Sequence, residues 1–265
     1  RDRDMCGIAG LLGPDGDDSE MAHSMASLLN HRGPDGTRSW SESCSQGGVG
    51  FGHTRLSIVD LAGSDQPLFS DDGCVLIMNG EIYNHQSIRN QERGFAFRTK
   101  GDGETILAAY HSRVDDFSWV QRLDGIWAFA LWDSNRERLF LCRDRLGVKP
   151  LVRTITDEGT LLFGSEVKSL RAHPGHNPTL DMDALVARIA YEYPLDETTL
   201  FQDVYSVQSG TMEIWKLNES GVILHEKQSW VANTQGPAKE NWSPSQGAYS
   251  LLESLTSSVA DRLMS

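Results

Sequence analysis

The chain has 265 residues, 39% of them hydrophobic and 23% charged, and its 24 Lys and Arg against 37 Asp and Glu give a formal charge of −13. That balance opposes a phosphate backbone, so no nucleic acid partner is expected. No apolar run approaches the ~18 residues needed to cross a bilayer, so no membrane partner is expected either. The charged start, Arg1 to Asp4, leads into an apolar stretch broken by Gly10 and Gly13, too short for a signal peptide, and a cytoplasmic location is expected. Cys6, Cys44, Cys74 and Cys142 are far apart and contain no C-x-x-C pair, so reduced thiols are expected, with neither zinc nor a disulfide framework. His173 and His176 bracket Pro174-Gly175 in a loop, and no metal is assigned to them.

In chain order, Cys6 opens a short apolar run, Gly7-Ile8-Ala9-Gly10. A thiol followed by glycine at the mouth of a buried strand is open to an incoming carbonyl, although a lone cysteine is also a common small core residue. Gly13-Pro14-Asp15-Gly16 reads as a turn, and Asp17, Asp18 or Ser19 can cap a helix whose face is Met21, Met25, Leu28 and Leu29. That helix stops in His31-Arg32-Gly33-Pro34-Asp35-Gly36, a tight loop with either a structural or a functional role. A glycine-rich stretch then leads into an extended segment over 54–60. Its Arg55 can grip a carboxylate through two parallel hydrogen bonds or make a surface ion pair.

Cys74 to Met78 is a compact apolar strand running into Asn79-Gly80. Locally this dipeptide reads as a hairpin turn, yet an amide beside an unshielded glycine N–H also offers two donors to one oxygen. Asp102 falls near the start of a helix that faces Ile106, Ala109 and Tyr110 inward, where an N-cap is the simplest role. Strands follow over Trp127–Trp132 and Arg138–Cys142, then Pro150–Thr154 and Thr160–Gly164, then a helix over Asp181–Ala190 and strands over Thr211–Leu217 and Val222–His225. Residues 231–247 are rich in Gly, Pro, Ser, Asn and Gln and read as a linker. Beyond it, Tyr249, Leu252, Leu255, Val259 and Leu263 lie at helical spacing.

Five motifs, C-G-I-A-G, H-R-G-P-D-G, R-L-S-I-V-D-L, N-G-E-I-Y-N-H and R-D-R-L-G-V-K-P-L, occur in an order and spacing that resembles the glutamine amidotransferase half of asparagine synthetases. The resemblance covers roughly residues 6–217 and replaces the turn reading of Asn79. It implies an α+β fold, a four-layer α/β/β/α Ntn-hydrolase sandwich of two antiparallel sheets between helices. By resemblance Cys6 is the nucleophile with its own α-amine as base, and Asn79 and Gly80 are the oxyanion donors. Arg55 would hold the α-carboxylate of glutamine, with Leu56, Ser57, Ile58 and Val59 lining the pocket. Asp102 would receive the α-ammonium, and Glu81 would close the site through its backbone.

The sequence departs from that pattern in places: Gly101 and Gly103 flank Asp102, Gln208-Ser209-Gly210 replaces a proline-containing turn, and Val152-Arg153 replaces a tyrosine pair. Residues 1–5 precede Cys6 and leave its nitrogen a non-basic amide, so either translation starts at Met5 and Met5 is then removed, or the segment is cleaved as a short leader, or the chain carrying it is inactive; the first is expected. The expected organisation is therefore this extension, an amidotransferase domain over 6–230, a linker over 231–247, and the first helix of a synthetase domain over 248–265. No S-G-G-x-D-S pyrophosphate loop occurs in this sequence, so ATP and Mg are expected only in that further domain, and no cofactor in this one. The expected partners are L-glutamine and the ammonia-receiving synthetase domain, with a homodimer as a candidate assembly. Feeding ammonia to a sugar or a specialised metabolite, or binding glutamine without turnover, are the alternatives.

Overall fold

The computed structural model describes residues 5–56, 65–193, 196–230 and 243–263. Its centre is two six-stranded antiparallel sheets. The first contains β1 (Gly7–Gly13), β2 (Gly36–Cys44), β3 (Gly47–Arg55), β8 (Val152–Ile155), β9 (Leu161–Gly164) and β10 (Tyr205–Ser206), in the order β10-β8-β9-β1-β3-β2. The second contains β4 (Leu68–Phe69), β5 (Cys74–Ile82), β6 (Gly125–Asp133), β7 (Arg138–Arg143), β11 (Thr211–Asn218) and β12 (Gly221–Ser229), in the order β12-β11-β7-β6-β5-β4.

The two-residue period of a strand explains the layering, because successive side chains point to opposite faces. Ile8 and Leu12 of β1 pack between the sheets with Val75, Ile77, Ala128, Ala130 and Trp132. Ala9 and Leu11 point the other way, onto α1 (Ser19–Ser27), where they meet Ala22, Met25 and Leu29. On the far side of the second sheet, Trp127, Phe129 and Leu131 of β6 pack with Ile106, Leu107 and Tyr110 of α3 (Glu104–His111) and Ile88 of α2 (His85–Gln91). The result is the expected sandwich of two antiparallel sheets between helices.

Two elements differ from the sequence reading, the end of the first helix and the start of the last one. Leu28 is not on the inner face of α1: the helix ends at Ser27, Leu28 is its C-cap and is 44% exposed, while Leu29 is buried. Asn79 and Gly80 lie inside β5, paired with Ala128 and Trp127, and make no turn. The extended segment over 54–60 reaches only Arg55 within β3, and residues 57–60 lie outside the described ones. The linker expected over 231–247 falls outside the described residues up to 242, and α6 (Pro244–Arg262) begins before its end. Ser243 caps α6 in a reciprocal box with Gln246. The apolar stripe of α6, and every residue of α5 (Met182–Tyr191), lies outside the core. Among the described residues no helix is long and apolar enough to cross a membrane.

Candidate active site

Cys6 stands one residue before β1, and the strand is fixed immediately behind it. Ile8 N–H donates to Ser165 Oγ at 3.0 Å and Ile8 O accepts from Ser165 N–H at 2.8 Å. Gly7 permits close approach here, since a Cβ would lie 2.6 Å from Thr54 Oγ1 and 2.8 Å from Leu29 Cβ. Among the described residues Cys6 Sγ has hydrogen-bond partners only on Leu56: it accepts from the Leu56 N–H at 3.4 Å and lies 3.7 Å from the Leu56 carbonyl. Burial pushes the thiol up; the Leu56 N–H and the charges of Lys149 and Arg55 pull it down, Asp102 pushes it up, and the net shift is upward. The sulfur therefore holds its proton more tightly than a free thiol does.

The carbonyl of Cys6 is held from two sides. Arg32, 3% exposed, donates from Nε to Cys6 O at 3.0 Å and from Nη1 to Glu166 Oε1 at 2.9 Å. The amide orientation that satisfies both its neighbours has Asn79 Nδ2 donating to Cys6 O at 3.1 Å and Oδ1 accepting from Arg32 Nη2 at 3.3 Å. One Nδ2 hydrogen is thus spent on the backbone, and the second remains for another acceptor. Glu166 anchors this arrangement. Burial alone would raise its carboxyl, but hydrogen bonds from Arg32, His31 and Lys168 outweigh burial and hold it below the usual carboxylate range.

Gly80 N–H points to the edge of β5 away from β6 by strand parity. Met78 N–H donates to Gln66 Oε1 at 2.5 Å and Ile82 N–H to Asp102 Oδ2 at 2.7 Å, both away from β6. Gly80 lies midway between them, so its N–H points to the same open edge. Its φ of +143° and the collision that a Cβ would make with the Ile126 carbonyl reserve the position for glycine. Asp102 is not the helix cap suggested by its position. Gly103 occupies that place, and Asp102 instead ties the loop to the end of β5. Burial pushes the Asp102 carboxyl up, with the Ile82 N–H opposing.

Arg55 lies at the end of β3 with its guanidinium 15% exposed and Nη1 2.6 Å from Asp65 Oδ1. With Arg38, His53, Asp65 and Gln66 it lines a cavity of about 300 Å³. Glu81 pairs with Ile126 at the end of β5, and its carboxylate acts on Lys149. Leu56 meets the sulfur directly, whereas Ser57, Ile58 and Val59 lie outside the described residues. Three site residues were not assigned from sequence: Arg32, Glu166 and Lys149. Arg32 and Lys149 stand in two of the quoted motifs, and that was the available signal; Glu166 carried none.

Two antiparallel sheets between helices, with a thiol at the entry of a central strand, define an Ntn-hydrolase sandwich. The chain belongs to the glutamine amidotransferase domain family, whose pattern matches residues 5–229. It is 40% identical over 226 residues to a putative glutamine-hydrolysing asparagine synthetase of Mycobacterium tuberculosis, covering 78% of this chain and 34% of that one. It is 38% identical over 189 residues to glutamine-hydrolysing asparagine synthetase 3 of Bacillus subtilis, covering 68% of this chain and 30% of that one. The chain therefore spans about a third of the length of these relatives. Among solved structures, the glutamine phosphoribosylpyrophosphate amidotransferase of B. subtilis superposes with a TM-score of 0.61 at 17% identity, over 86% of this chain and 50% of that one. At that identity the likeness is one of fold.

Proposed function

We propose that this domain hydrolyses the side-chain amide of L-glutamine through Cys6 and delivers the ammonia to a carboxylate activated by ATP in a further synthetase domain, as in an asparagine synthetase. The observation that carries the reading is the seat of Cys6. Its carbonyl is fixed by Arg32 and Asn79, and among the described residues its sulfur is hydrogen-bonded only to the backbone of Leu56. With no His or carboxylate hydrogen-bonded to the sulfur among the described residues, the proton must pass to another base, and the α-amine of a Cys6-initiated chain is the group attached to the same residue. An α-amine has a pKa of about 7.7–8.0, suited to that task, whereas the Met5–Cys6 peptide nitrogen is not basic.

The steps follow. The Sγ proton passes to the amine, and the thiolate attacks the amide carbon. The oxyanion takes hydrogen bonds from the free Nδ2 hydrogen of Asn79 and from Gly80 N–H. The amine returns its proton to the leaving nitrogen, ammonia departs, and water cleaves the γ-glutamyl thioester. Arg55 and Asp102 supply the cation and anion that a zwitterionic amino acid needs, Leu56 lines its pocket, and Glu81 borders it through its backbone. Arg55 would exchange Asp65 for the substrate carboxylate. A chain beginning at Cys6 should convert glutamine to glutamate and ammonia, whereas the same chain carrying Cys6→Ala, or beginning at Met5, should not. Equal turnover by the Cys6→Ala chain would overturn the assignment.

A further inference from the structure

Arg143 to Pro150 form a loop whose backbone is held almost atom by atom. The buried Asp144 carboxylate accepts from Leu146 N–H at 3.0 Å and from Val148 and Lys149 N–H at 3.1 Å each, and also from Trp127 N–H at 3.2 Å. The Arg143 guanidinium donates to the carbonyls of Lys149 and Val207 at 2.8 Å and of Gly147 at 2.7 Å. Lys149 is thus pinned at both its N–H and its C=O. Its half-buried side chain crosses to the first sheet, where Nζ lies 3.1 Å from Met5 Sδ. Arg32 Nη2 approaches the same sulfur at 3.8 Å. A thioether is a weak acceptor, so two cations converging on it gain little from the contact itself. Met5 is the residue that precedes Cys6, whose carbonyl the same Arg32 holds at 3.0 Å.

We infer that Lys149 is a positioning residue of the hydrolytic site: its ammonium, set by the clamped loop against the residue preceding Cys6, keeps the α-amine exposed by removal of Met5 in its neutral, proton-accepting form. The inference rests on the reading that this amine is the base. An ammonium beside a second amine disfavours protonation of that amine, and protonation would remove the lone pair needed to take the Sγ proton. Among the described residues, Arg55 on β3 and Asp102 before α3 also act on Cys6, Arg32 after α1 holds its carbonyl, and Glu81 on β5 and Asp144 in the loop act on Lys149 itself. Arg32 and Arg55 act in the same direction as Lys149, and the three carboxylates oppose it. Arg32 spends its fork on Cys6 O, Asn79 and Glu166 and meets Met5 Sδ only at 3.8 Å, so Lys149, at 3.1 Å, makes the closer approach to Met5.

The test uses chains that begin at Cys6, with Lys149→Met to remove the charge at similar length and Lys149→Arg to keep it. Two quantities are read: the pH profile of kcat/KM for glutamine hydrolysis, and the ¹⁵N shift of the Cys6 α-amine in cysteine-labelled protein, which needs no turnover. Lys149→Met should move the acid limb and the amine titration upward by about one pH unit, so that activity falls about tenfold below neutrality and converges with the parent above pH 9, with KM unchanged. Lys149→Arg should restore both. An amine that titrates at the same pH in parent and Lys149→Met, or a loss of equal size at every pH, would overturn the inference. Should Lys149→Met fold poorly, Lys149→Gln is read in the same two ways. A parent chain without turnover would instead count against the glutaminase reading, and the ¹⁵N titration would still decide whether Lys149 governs the amine.

Discussion

Two buried arginines put the same guanidinium to different ends. Arg138, 8% exposed, is closed into the core: it donates to Tyr110 Oη at 2.7 Å and to Val114 O at 2.9 Å, and lies 3.5 Å from Asp133 Oδ2. Tyr110 in turn donates to Asp133, and Arg138 lies over the Phe140 ring at 5.1 Å. Every partner is itself buried or part of the wall around it. Arg32, 3% exposed, has comparable hydrogen bonds, but they end on the carbonyl of Cys6, on Asn79 and on the half-exposed Glu166. The first network completes a core; the second fixes one backbone atom beside a thiol. Burial alone does not separate a structural from a functional arginine, whereas the identity of the atom held does.

The largest expected effect breaks the first network. Arg138→Met strips the buried Asp133–Tyr110 pair of its buried cation and leaves only the more exposed Arg136, 3.6 Å from Asp133, a loss of about 3–5 kcal/mol in unfolding free energy by denaturant titration. The turnover of the remaining folded protein should not change. A fall in kcat per folded molecule would erase the distinction between the two arginines. The next effect acts on the second network. Asn79→Ala removes one oxyanion donor and a support for Cys6 O, and glutamine turnover should fall by roughly a hundredfold to a thousandfold, about 2.7–4 kcal/mol in the barrier. Unchanged kcat would remove Asn79 from the chemistry.

His53 on β3 provides the third measurement. It is buried, Nε2 has no partner among the described residues, and burial lowers its pKa to about 4, with Arg55 acting in the same direction and the Met78 backbone and Asp65 opposing. The unfolded imidazole takes its proton near pH 6.5, while the folded one refuses it until about pH 4. Between these values the unfolded state binds more protons, so the His53 contribution is fully present above pH 6.5 and is lost as pH falls toward 4. The total is about 3 kcal/mol. His53→Gln should flatten the stability profile in that window, and an unaltered slope would show that the imidazole titrates elsewhere.

Period and composition made most of the sandwich legible. β6 alternates Trp127, Phe129 and Leu131 with Ala128, Ala130 and Trp132, and both sets are buried, one on each face. β2 was not legible, because Gly36–Cys44 is an edge strand of mixed exposure with little apolar alternation to mark it. At Asn79-Gly80 the local turn chemistry pointed one way and the pairing with β6 overrode it; the resemblance set the turn aside, and the strand itself is visible only in the pairing. The site divides similarly. Cys6, Asn79 and Gly80 take their proposed roles from the motifs around them rather than from residue type alone. Arg32 meets Glu166 across 134 residues, and Lys149 reaches Met5 across 144, separations that no local pattern encodes.

The smallest expected effect sharpens the opening contrast by keeping the charge of Arg32 and removing its shape. Arg32 holds three acceptors with three nitrogens: Nε on Cys6 O, Nη1 on Glu166 and Nη2 on Asn79 Oδ1. A lysine ammonium is a single point on a flexible stem and cannot span these positions in one plane. In Arg32→Lys the pair with Glu166, the strongest attraction, should persist, and the bond to Cys6 O should be the one lost. The Cys6 backbone then rests on Asn79 alone, and the amide that also serves the oxyanion gains freedom to turn. The expected outcome is a fall in kcat of about tenfold, about 1.4 kcal/mol, with KM for glutamine and the thermal midpoint close to the parent values. A midpoint that falls while kcat holds would place Arg32 with Arg138, as a second cation whose work ends in the core.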